Sequence, residues 1–220
     1  MSVTICANRA EWQNERQKGI GASDAAAVLG LSKWKSNVEL WEEKVGLRQS
    51  EDISDKPYVK YGNDAEPHIR ALFALDHTEL RVTYESPFKI IRNDAHPFIF
   101  ATPDGELEEI ATGRRGGLEI KTTEIMHPRQ WADWDERVPE QYYLQVIHQF
   151  IATDWDFIWL RANIKWTTKS GQKRIDTRDY LIERDDPGVP QDMAELKNGL
   201  ILFWRCVTAK TRPALKLPNI

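Results

Sequence analysis

Residues 101–122 read ATPDGELEEIATGRRGGLEIKT and connect two short β-prone runs of the chain. The first run ends in TPDG, which contains Asp104, and the second contains EIK, in which Glu119 and Lys121 flank an isoleucine. Side chains two positions apart on a strand point to the same face, so we expect Glu119 and Lys121 to share one space. Asp104, at the end of the neighbouring strand, is placed to meet them. The stretch therefore predicts two strands with a charged cluster between them.

Such a cluster has a chemical use. Two carboxylates at hydrogen-bonding range repel each other unless a cation lies between them, and hard oxygen ligands suit Mg²⁺ or Mn²⁺. A lysine beside such an ion can orient or deprotonate a water molecule, as metal-assisted phosphodiester hydrolysis requires. By pattern alone, TPDG is also typical of an ordinary turn and EIK of a strand with one solvated face, and chance matches of this length are common. Other residues have to decide between the two interpretations.

Two further polar residues are candidates for the same site. Glu66 is predicted in the first turn of a helix together with Pro67, where the helix dipole also favours an acidic residue. Gln145 interrupts the apolar segment YYLQVIH. A buried polar side chain costs about 1–3 kcal/mol unless it is hydrogen-bonded. A bond from Gln145 to a water molecule or a carboxylate at the edge of an active site would remove that cost.

Arg16 and Ser23 form a second candidate site, for an anion. Gly19 and Gly21 lie between them and relax the backbone just before a predicted helix. An arginine fork, a hydroxyl and free N–H groups at a helix N-terminus together bind anions such as phosphate. A serine N-cap with an unrelated surface arginine gives the same pattern, and the residues alone do not separate the two interpretations.

The periodicity of the chain predicts helices on both sides of a sheet-forming centre. Ser23 is expected to cap a helix closed by Gly30, and Ser36 with Glu39 fits a capping box for a second helix. Further helices are predicted at 64–75, 139–152 and about 190–210.

The centre of the chain changes to strand periodicity. A meander followed by a hairpin is predicted, with strands at 80–84, 88–92, 98–101, 117–122, 157–164 and 174–183. This order favours an α+β or mixed α/β domain around one central sheet. One domain is expected over residues 1–220. Its parts are a helical segment over about 1–76, a sheet-containing core over about 77–184 and the C-terminal helix.

The composition excludes several classes of protein. The net charge of −4 rules out a generally basic nucleic-acid coat but allows a local basic groove. Two cysteines, Cys6 and Cys206, cannot supply a four-thiolate cluster or a disulfide framework. Residues 1–16 lack the apolar segment of a signal peptide, and no run approaches the ~18 apolar residues that span a bilayer. We therefore expect a soluble protein of the cytoplasm that does not associate with membranes.

Two sets of residues could contact nucleic acid or simply stabilise the fold. Basic residues crowd the predicted hairpin and form either a DNA channel or a solvated surface: Lys165, Lys169, Lys173, Arg174 and Arg178. Three tryptophans near the N-terminus could stack on a DNA end or pack in the core and in subunit contacts: Trp12, Trp34 and Trp41.

Five motifs together resemble the lambda-exonuclease and YqaJ-like viral recombinase family, within the PD-(D/E)XK nuclease superfamily. The motifs follow the order of the family and are RQKGIGASDAAAVLG (16–30), YGNDAEPHIRALF (61–73), ATPDG (101–105), GLEIKT (117–122) and YYLQVIHQ (142–149). The resemblance covers about residues 16–186. It implies a central mixed β-sheet flanked by helices, with a PD-(D/E)XK restriction-endonuclease-like core.

The resemblance implies a role for each candidate at the charged cluster. The implied metal ligands are Asp104, Glu119, the Ile120 carbonyl and Glu66. The implied metal is Mg²⁺, with Mn²⁺ as a substitute. Lys121 matches the catalytic lysine, and Gln145 matches a family glutamine that helps to position the attacking water.

The resemblance also implies that the anion site binds the 5′-phosphate of a DNA end. The matching residues are Arg16, Ser23 and Thr102, the last of which replaces a family serine and keeps its hydroxyl. A further family arginine has no clean match, so the choice between His127 and Arg129 stays open.

The implied activity is that of a 5′-to-3′ exonuclease on double-stranded DNA ends. It releases 5′-mononucleotides and leaves a 3′ single strand for an annealing protein in phage-type recombination. A ring-shaped homotrimer, encoded by a phage or prophage of a bacterial host, is the implied assembly. An endonuclease or nickase of the same superfamily and a non-catalytic DNA-end-binding module are the alternatives, although the intact Asp104, Glu119 and Lys121 argue against the last.

Overall fold

The computed structural model describes residues 1–135 and 137–217, in which a helical N-terminal part precedes most of the strands. The strands are β1 (Ser2–Ile5), β2 (Leu80–Thr83), β3 (Lys89–Arg92), β4 (Phe100–Ala101), β5 (Gly105–Glu109), β6 (Arg115–Ile125), β7 (Phe157–Thr167) and β8 (Lys173–Glu183). The helices are α1 (Arg9–Gln17), α2 (Ala25–Leu29), α3 (Asn37–Lys44), α4 (Pro57–Asp76), α5 (Glu140–Ala152) and α6 (Val189–Thr208). Short 3₁₀ turns occupy Ala22–Asp24 and Pro128–Asp133.

The central sheet has five strands in the order β2-β5-β6-β7-β8. The central pair β6–β7 is parallel, and the other neighbours are antiparallel. β7 and β8 form the predicted hairpin, with Leu160 opposite Tyr180. The predicted mixed sheet flanked by helices is therefore confirmed.

A smaller sheet of three strands, in the order β1-β3-β4, lies apart from the central one. The predicted meander is wrong, because β3 pairs with β1 and β4 while β2 pairs with β5. β1 and β5 are not among the predicted strands. All four side chains of β1 are exposed, and β5 reads GELEE with Leu107 as its single large apolar residue.

Helix α1 was not predicted, and two other helices differ from their predicted forms. Ser36 and Glu39 form the predicted capping box of α3, and Gly30 closes α2 with a φ of 79°. Ser23, in contrast, lies inside a 3₁₀ turn and does not cap α2. Helix α4 begins seven residues earlier than predicted, at Pro57, whose fixed φ suits a first helical position. In the described ranges, no helix is both long and apolar enough to cross a bilayer.

Apolar side chains cover both faces of the central sheet. Ile69 and Phe73 of α4 pack against Leu118 and Ile120 on one face of β6. The other face of the sheet packs against α5, α2 and α6, where Leu160 is part of the main core. Side chains alternate along a strand, so Glu119, between Leu118 and Ile120, points away from α4 and toward α5.

Candidate active site

β5 stops pairing with β6 partway along β6, which leaves a gap at this edge of the strand. The gap holds the first site residue. β5 pairs with β6 as far as Gly105, which lies opposite Leu118. Asp104 comes immediately before β5, and its Oδ2 accepts a hydrogen bond of 2.8 Å from the Ile120 N–H. The N–H and C=O of one strand residue point to the same edge, so the Ile120 carbonyl also faces the gap. The predicted carboxylate and carbonyl ligands are therefore neighbours.

Glu119 and Lys121 point together to the α5 side of β6, as their spacing predicts. The Lys121 Nζ lies 2.5 Å from the Glu119 Oε1 and 5.2 Å from the centre of the Tyr142 ring. The Glu119 side chain is almost fully buried. Burial lowers the pKa of Lys121, but the charges of Glu119 and Asp104 outweigh it and raise that pKa above its ordinary value. Lys121 is therefore a charged ammonium at neutral pH.

Glu66 approaches the gap from α4, on the other face of the sheet. It lies well inside the helix rather than in its first turn, so the helix dipole does not account for it. Its Oε1 accepts a hydrogen bond from the Arg70 guanidinium. Burial raises the pKa of Glu66, Arg70 opposes this effect and the charge of Glu119 adds to it. The negative charge of Glu119 on β6 therefore acts on Glu66, although the two side chains come from opposite faces of the sheet.

Three carboxylates thus surround the gap with two cationic side chains among them. Burial raises the pKa of Asp104 well above its ordinary value, and the negative charges of Glu119 and Glu66 raise it further. An excess of buried negative charge carried by hard oxygen donors fits a divalent cation. In the described part of the chain, no three His, Cys, Asp or Glu side chains are grouped tightly enough to hold a metal ion. To bind a metal ion, the carboxylates would have to turn away from the protein groups that they contact. The assignment of the metal ligands therefore stays a prediction.

Gln149 bonds Glu119 from α5. Its Nε2 donates to the Glu119 Oε2, and the side chain is 1% exposed. The sequence predicts a bond from Gln145 to a water molecule or a carboxylate, and in the structure the bond to the Glu119 carboxylate comes from Gln149, one helical turn later. Residues four apart lie on the same helix face, so the pattern did not distinguish them. Gln145 is half-buried, and its role at the attacking water stays a prediction.

A second cleft, of about 1090 Å³, lies beside the N-terminal helices and is lined by Arg16 and Ser23. The Arg16 Nη1 donates to the Thr102 Oγ1 at 3.3 Å. Its guanidinium lies 4.4 Å from the centre of the Trp12 ring. Arg16 and Ser23 therefore line one cleft, and the third predicted phosphate residue, Thr102, is joined to it through its contact with Arg16. Because Thr102 is two residues before Asp104, this cleft and the β6 gap share one short segment.

The second cleft carries both signs of charge. Lys35, Lys44 and Asp24 line it as well, and the Lys44 Nζ lies 3.1 Å from the Asp24 Oδ2. Burial alone would raise the pKa of Asp24, but the charges of Lys44 and Arg16 bring it below its ordinary value. Burial lowers the pKa of Arg16, and Asp24 opposes that effect. Asp24 therefore neutralises part of the positive charge that an entering anion would meet.

The three N-terminal tryptophans have different surroundings. Trp41 is a core residue, because it is buried and its indole N–H donates to the Cys206 carbonyl at 3.1 Å. Trp12 packs between Phe88 and the Arg16 guanidinium. Trp34 is 87% exposed, so it keeps a ring face free for stacking.

The basic residues of the β7–β8 hairpin also differ in their surroundings. The Lys165 ammonium lies over the Tyr61 ring, and Arg178 bonds an aspartate of its own strand. Lys169 and Lys173 are exposed at the tip. The tip is therefore free to meet DNA, and its role in a channel stays a prediction.

The sequence profile of the YqaJ-like viral recombinase domain matches residues 11–156, a range that contains every predicted site residue. The chain belongs to the YqaJ-like viral recombinase family. A relative, the uncharacterized protein YqaJ of Bacillus subtilis, is 37% identical over 142 residues, or 64% of this chain. The match spans 41% of the length of that relative.

Solved structures share the fold of this YqaJ-family chain. The structure of LHK-Exo in complex with dAMP matches with a TM-score of 0.66 at 22% identity, covering 92% of this chain and 94% of that one. LHK-Exo is described as an alkaline exonuclease from Laribacter hongkongensis. A phage related exonuclease from Haemophilus somnus matches with a TM-score of 0.56 at 14% identity, covering 87% and 96%. The exonuclease-like fold that the resemblance implied is therefore confirmed.

Three polar residues around the two sites were missed by the sequence reasoning. Arg70 follows Glu66 by four residues, and this spacing on a helix is a signal for an ion pair. Gln149 is a second glutamine within the apolar α5 sequence. Asp24 carries no signal of its own, because the N-terminal part of a helix commonly holds an aspartate.

Proposed function

We propose that this YqaJ-family chain is a metal-dependent 5′-to-3′ exonuclease that digests one strand from the ends of double-stranded DNA. The observation that carries the proposal is the convergence of Asp104, Glu119 and Lys121 at the gap, joined to the Arg16 cleft through Thr102. An enzyme that starts at a free 5′ end needs both a hydrolytic centre and a cleft that holds the terminal phosphate. The dAMP bound by LHK-Exo is a nucleoside monophosphate, the class of product proposed here.

The oxygen ligands proposed for one or two Mg²⁺ ions, or Mn²⁺ as a substitute, are Asp104, Glu119, Glu66 and the Ile120 carbonyl. Such an ion, when bound, polarises the scissile phosphate and stabilises the leaving oxygen. The side chains fit this role because the negative charges of Glu119 and Glu66 raise the pKa of the buried Asp104, and a divalent cation would relieve this repulsion.

Lys121 acts on the attacking water. Its ammonium is held by the Glu119 carboxylate beside the Tyr142 ring, which leaves it at the partly exposed mouth of the gap. A charged amine in this position orients a water molecule by donating a hydrogen bond to its oxygen. Gln149 fixes the second oxygen of Glu119, so the carboxylate keeps one orientation. Gln145, on the same face of α5, is proposed to hold the water from the helix side.

Arg16, Ser23 and Thr102 select a 5′-phosphorylated end in this proposal. A guanidinium fork with two hydroxyls offers charge-assisted hydrogen bonds to a phosphate. The remaining 3′ single strand would pass to an annealing protein, and the enzyme would act as a ring-shaped homotrimer around duplex DNA. These last two parts come from the family resemblance, and light scattering of the purified protein tests the trimer.

A time course on linear duplex DNA labelled at either end tests the activity. The reaction contains Mg²⁺ and compares phosphorylated with hydroxyl 5′ ends and with closed circles. We expect release of 5′-terminal nucleotides from phosphorylated linear DNA, intact circles and no turnover by Lys121→Ala. The matched variant Lys60→Ala, at a lysine on α4 that pairs with Asp55, keeps its rate. Cut circles would indicate an endonuclease or nickase, and bound but undigested ends a DNA-end-binding module.

A further inference from the structure

Arg70 contacts three separate parts of the candidate active site. Its Nη2 donates to the Glu66 Oε1, and its Nε donates to the backbone carbonyl of Asp104. The centre of the Tyr84 ring lies 3.5 Å from the guanidinium carbon. The Arg70 side chain is 12% exposed. One guanidinium therefore joins α4, the turn before β5 and the segment that follows β2.

We propose that Arg70 is a positioning residue that sets the metal ligands Glu66 and Asp104 relative to each other. This inference rests on the proposed function and deepens it at the same site. Glu66 comes from α4 and Asp104 from the turn before β5, and their carboxylates repel each other. The planar fork of an arginine fixes the distance between two acceptors, whereas the ammonium of a lysine is a point charge on a flexible stem.

The contact with Glu66 restrains a side chain that could otherwise leave the site. Glu66 is 27% exposed, so its carboxylate has a route to solvent. Arg70 holds one carboxylate oxygen, Oε1, and leaves Oε2 for another partner. The bond to the Asp104 carbonyl acts on the main chain and therefore limits movement of the turn that carries the Asp104 carboxylate.

Tyr84 restrains the guanidinium itself. Its ring covers one face of Arg70 and is 38% exposed on the outside. A cation over an aromatic face is attracted by the negative charge of that face. With one face stacked and two of its nitrogen atoms hydrogen-bonded, the guanidinium has a fixed orientation before any ligand binds. Loss of Tyr84 should therefore have the same direction of effect as loss of Arg70, with smaller size.

A purely electrostatic role for Arg70 makes the opposite prediction. A positive charge beside a cation site repels the cation, so removal of that charge alone would tighten metal binding. Removal of a positioning fork would weaken it. The variants Arg70→Met and Arg70→Lys separate these cases, because only the second keeps the charge.

The test measures calorimetric binding of Mn²⁺ to the metal-free protein, together with kcat and KM on linear DNA. We expect Arg70→Lys and Arg70→Met to weaken Mn²⁺ binding about 10- to 100-fold, as loss of outer-shell partners of metal ligands usually does. The value of kcat should fall while KM for DNA stays unchanged, because Arg70 is mostly buried. Arg81→Met is the matched control, since Arg81 is an exposed arginine of β2 that pairs with Glu108 at 2.8 Å.

Unchanged Mn²⁺ binding by Arg70→Lys, with tighter binding by Arg70→Met, would overturn the positioning role. If neither variant folds, Tyr84→Leu decides, and wild-type Mn²⁺ binding by that variant would overturn the role as well. A wild-type protein that binds Mn²⁺ without digesting DNA contradicts the exonuclease and leaves the Arg70 comparison intact. A wild-type protein that binds no Mn²⁺ contradicts both.

Discussion

The Asp104 carboxylate accepts a hydrogen bond from the Ile120 N–H at the point where β5 leaves the edge of β6. An uncovered strand edge normally offers its N–H and C=O groups to water or to another strand. Here the Ile120 N–H binds the Asp104 carboxylate, and the Ile120 carbonyl faces the gap beside Glu119 and Glu66. The same feature that ends the strand pairing therefore creates a site of concentrated negative charge, whose repulsion the fold has to tolerate.

Asp104→Asn should abolish DNA digestion and stabilise the metal-free protein. Asparagine keeps an acceptor for the Ile120 N–H and removes one of three repelling charges. Burial raises the folded-state pKa of Asp104 above its unfolded value, so its ionised form opposes folding at neutral pH and ceases to do so under acid conditions. We expect a gain of about 1 kcal/mol at pH 7.5, in the range typical of relieved active-site strain. Urea unfolding at pH 7.5 and pH 3 measures it. A gain that persists at pH 3 would contradict this cause.

Arg16→Ala should reduce the preference for phosphorylated 5′ ends more than it reduces phosphodiester hydrolysis. A hydrogen bond to a charged group contributes about 1.5–3 kcal/mol, which corresponds to roughly a 10- to 100-fold preference. The measurement compares kcat/KM on phosphorylated and hydroxyl ends. Arg9→Ala is the control, at an exposed arginine that lines the same cleft. Equal losses on both substrates would remove Arg16 from phosphate recognition.

The hairpin tip should contribute to DNA binding through charge alone. Lys169 and Lys173 are exposed, so the double variant Lys169→Ala/Lys173→Ala should keep its melting temperature. The slope of log K against log salt should become shallower by about one for each phosphate that the variant no longer neutralises. Fluorescence anisotropy on a labelled duplex at several salt concentrations, with Ca²⁺ in place of Mg²⁺, gives the slope. The exposed pair Lys210→Ala/Arg212→Ala serves as control, and identical slopes would assign the tip to a solvated surface.

The charged residues of the gap could be predicted because they follow local rules. Strand alternation places Glu119 and Lys121 on one face, and the position of Asp104 after a strand end places it beside them. The contacts of Gln149 and Arg70 could not be derived in this way. They depend on how α5 and α4 pack against β6. Helix periodicity does not determine which residue makes the contact, because residues one turn apart lie on the same helix face.

The two missed strands had a different cause. β1 reads SVTI, which alternates polar and apolar residues, but it is only four residues long and all four side chains are exposed, so no buried face marks it. β5 contains three glutamates, and two of them form ion pairs, Glu106 with Lys89 and Glu108 with Arg81. The residues of β5 have a low preference for strands, so its pairing depends on the partner strands, whereas β1 contains three β-branched residues and was too short to stand out. The division of the strands between two sheets was therefore not readable from the sequence.

His148 should make the stability of the protein fall as the pH drops from 6.5 toward 4. The ring is fully buried on α5, and its Nε2–H donates to the Phe100 carbonyl at 3.1 Å. Burial lowers its pKa to about 4. Between pH 6.5 and pH 4, the unfolded chain therefore binds a proton at this histidine and the folded protein does not. The free energy of unfolding should then have its full value above pH 6.5 and fall below it by up to about 1.4 kcal/mol per pH unit. Urea unfolding at pH 7.5, 6 and 5 measures it.

His148→Gln keeps a donor for the carbonyl and should flatten the dependence, whereas His68→Gln, at an exposed histidine of α4, should follow the wild type. Parallel curves for all three proteins would show that His148 titrates alike in the folded and unfolded states.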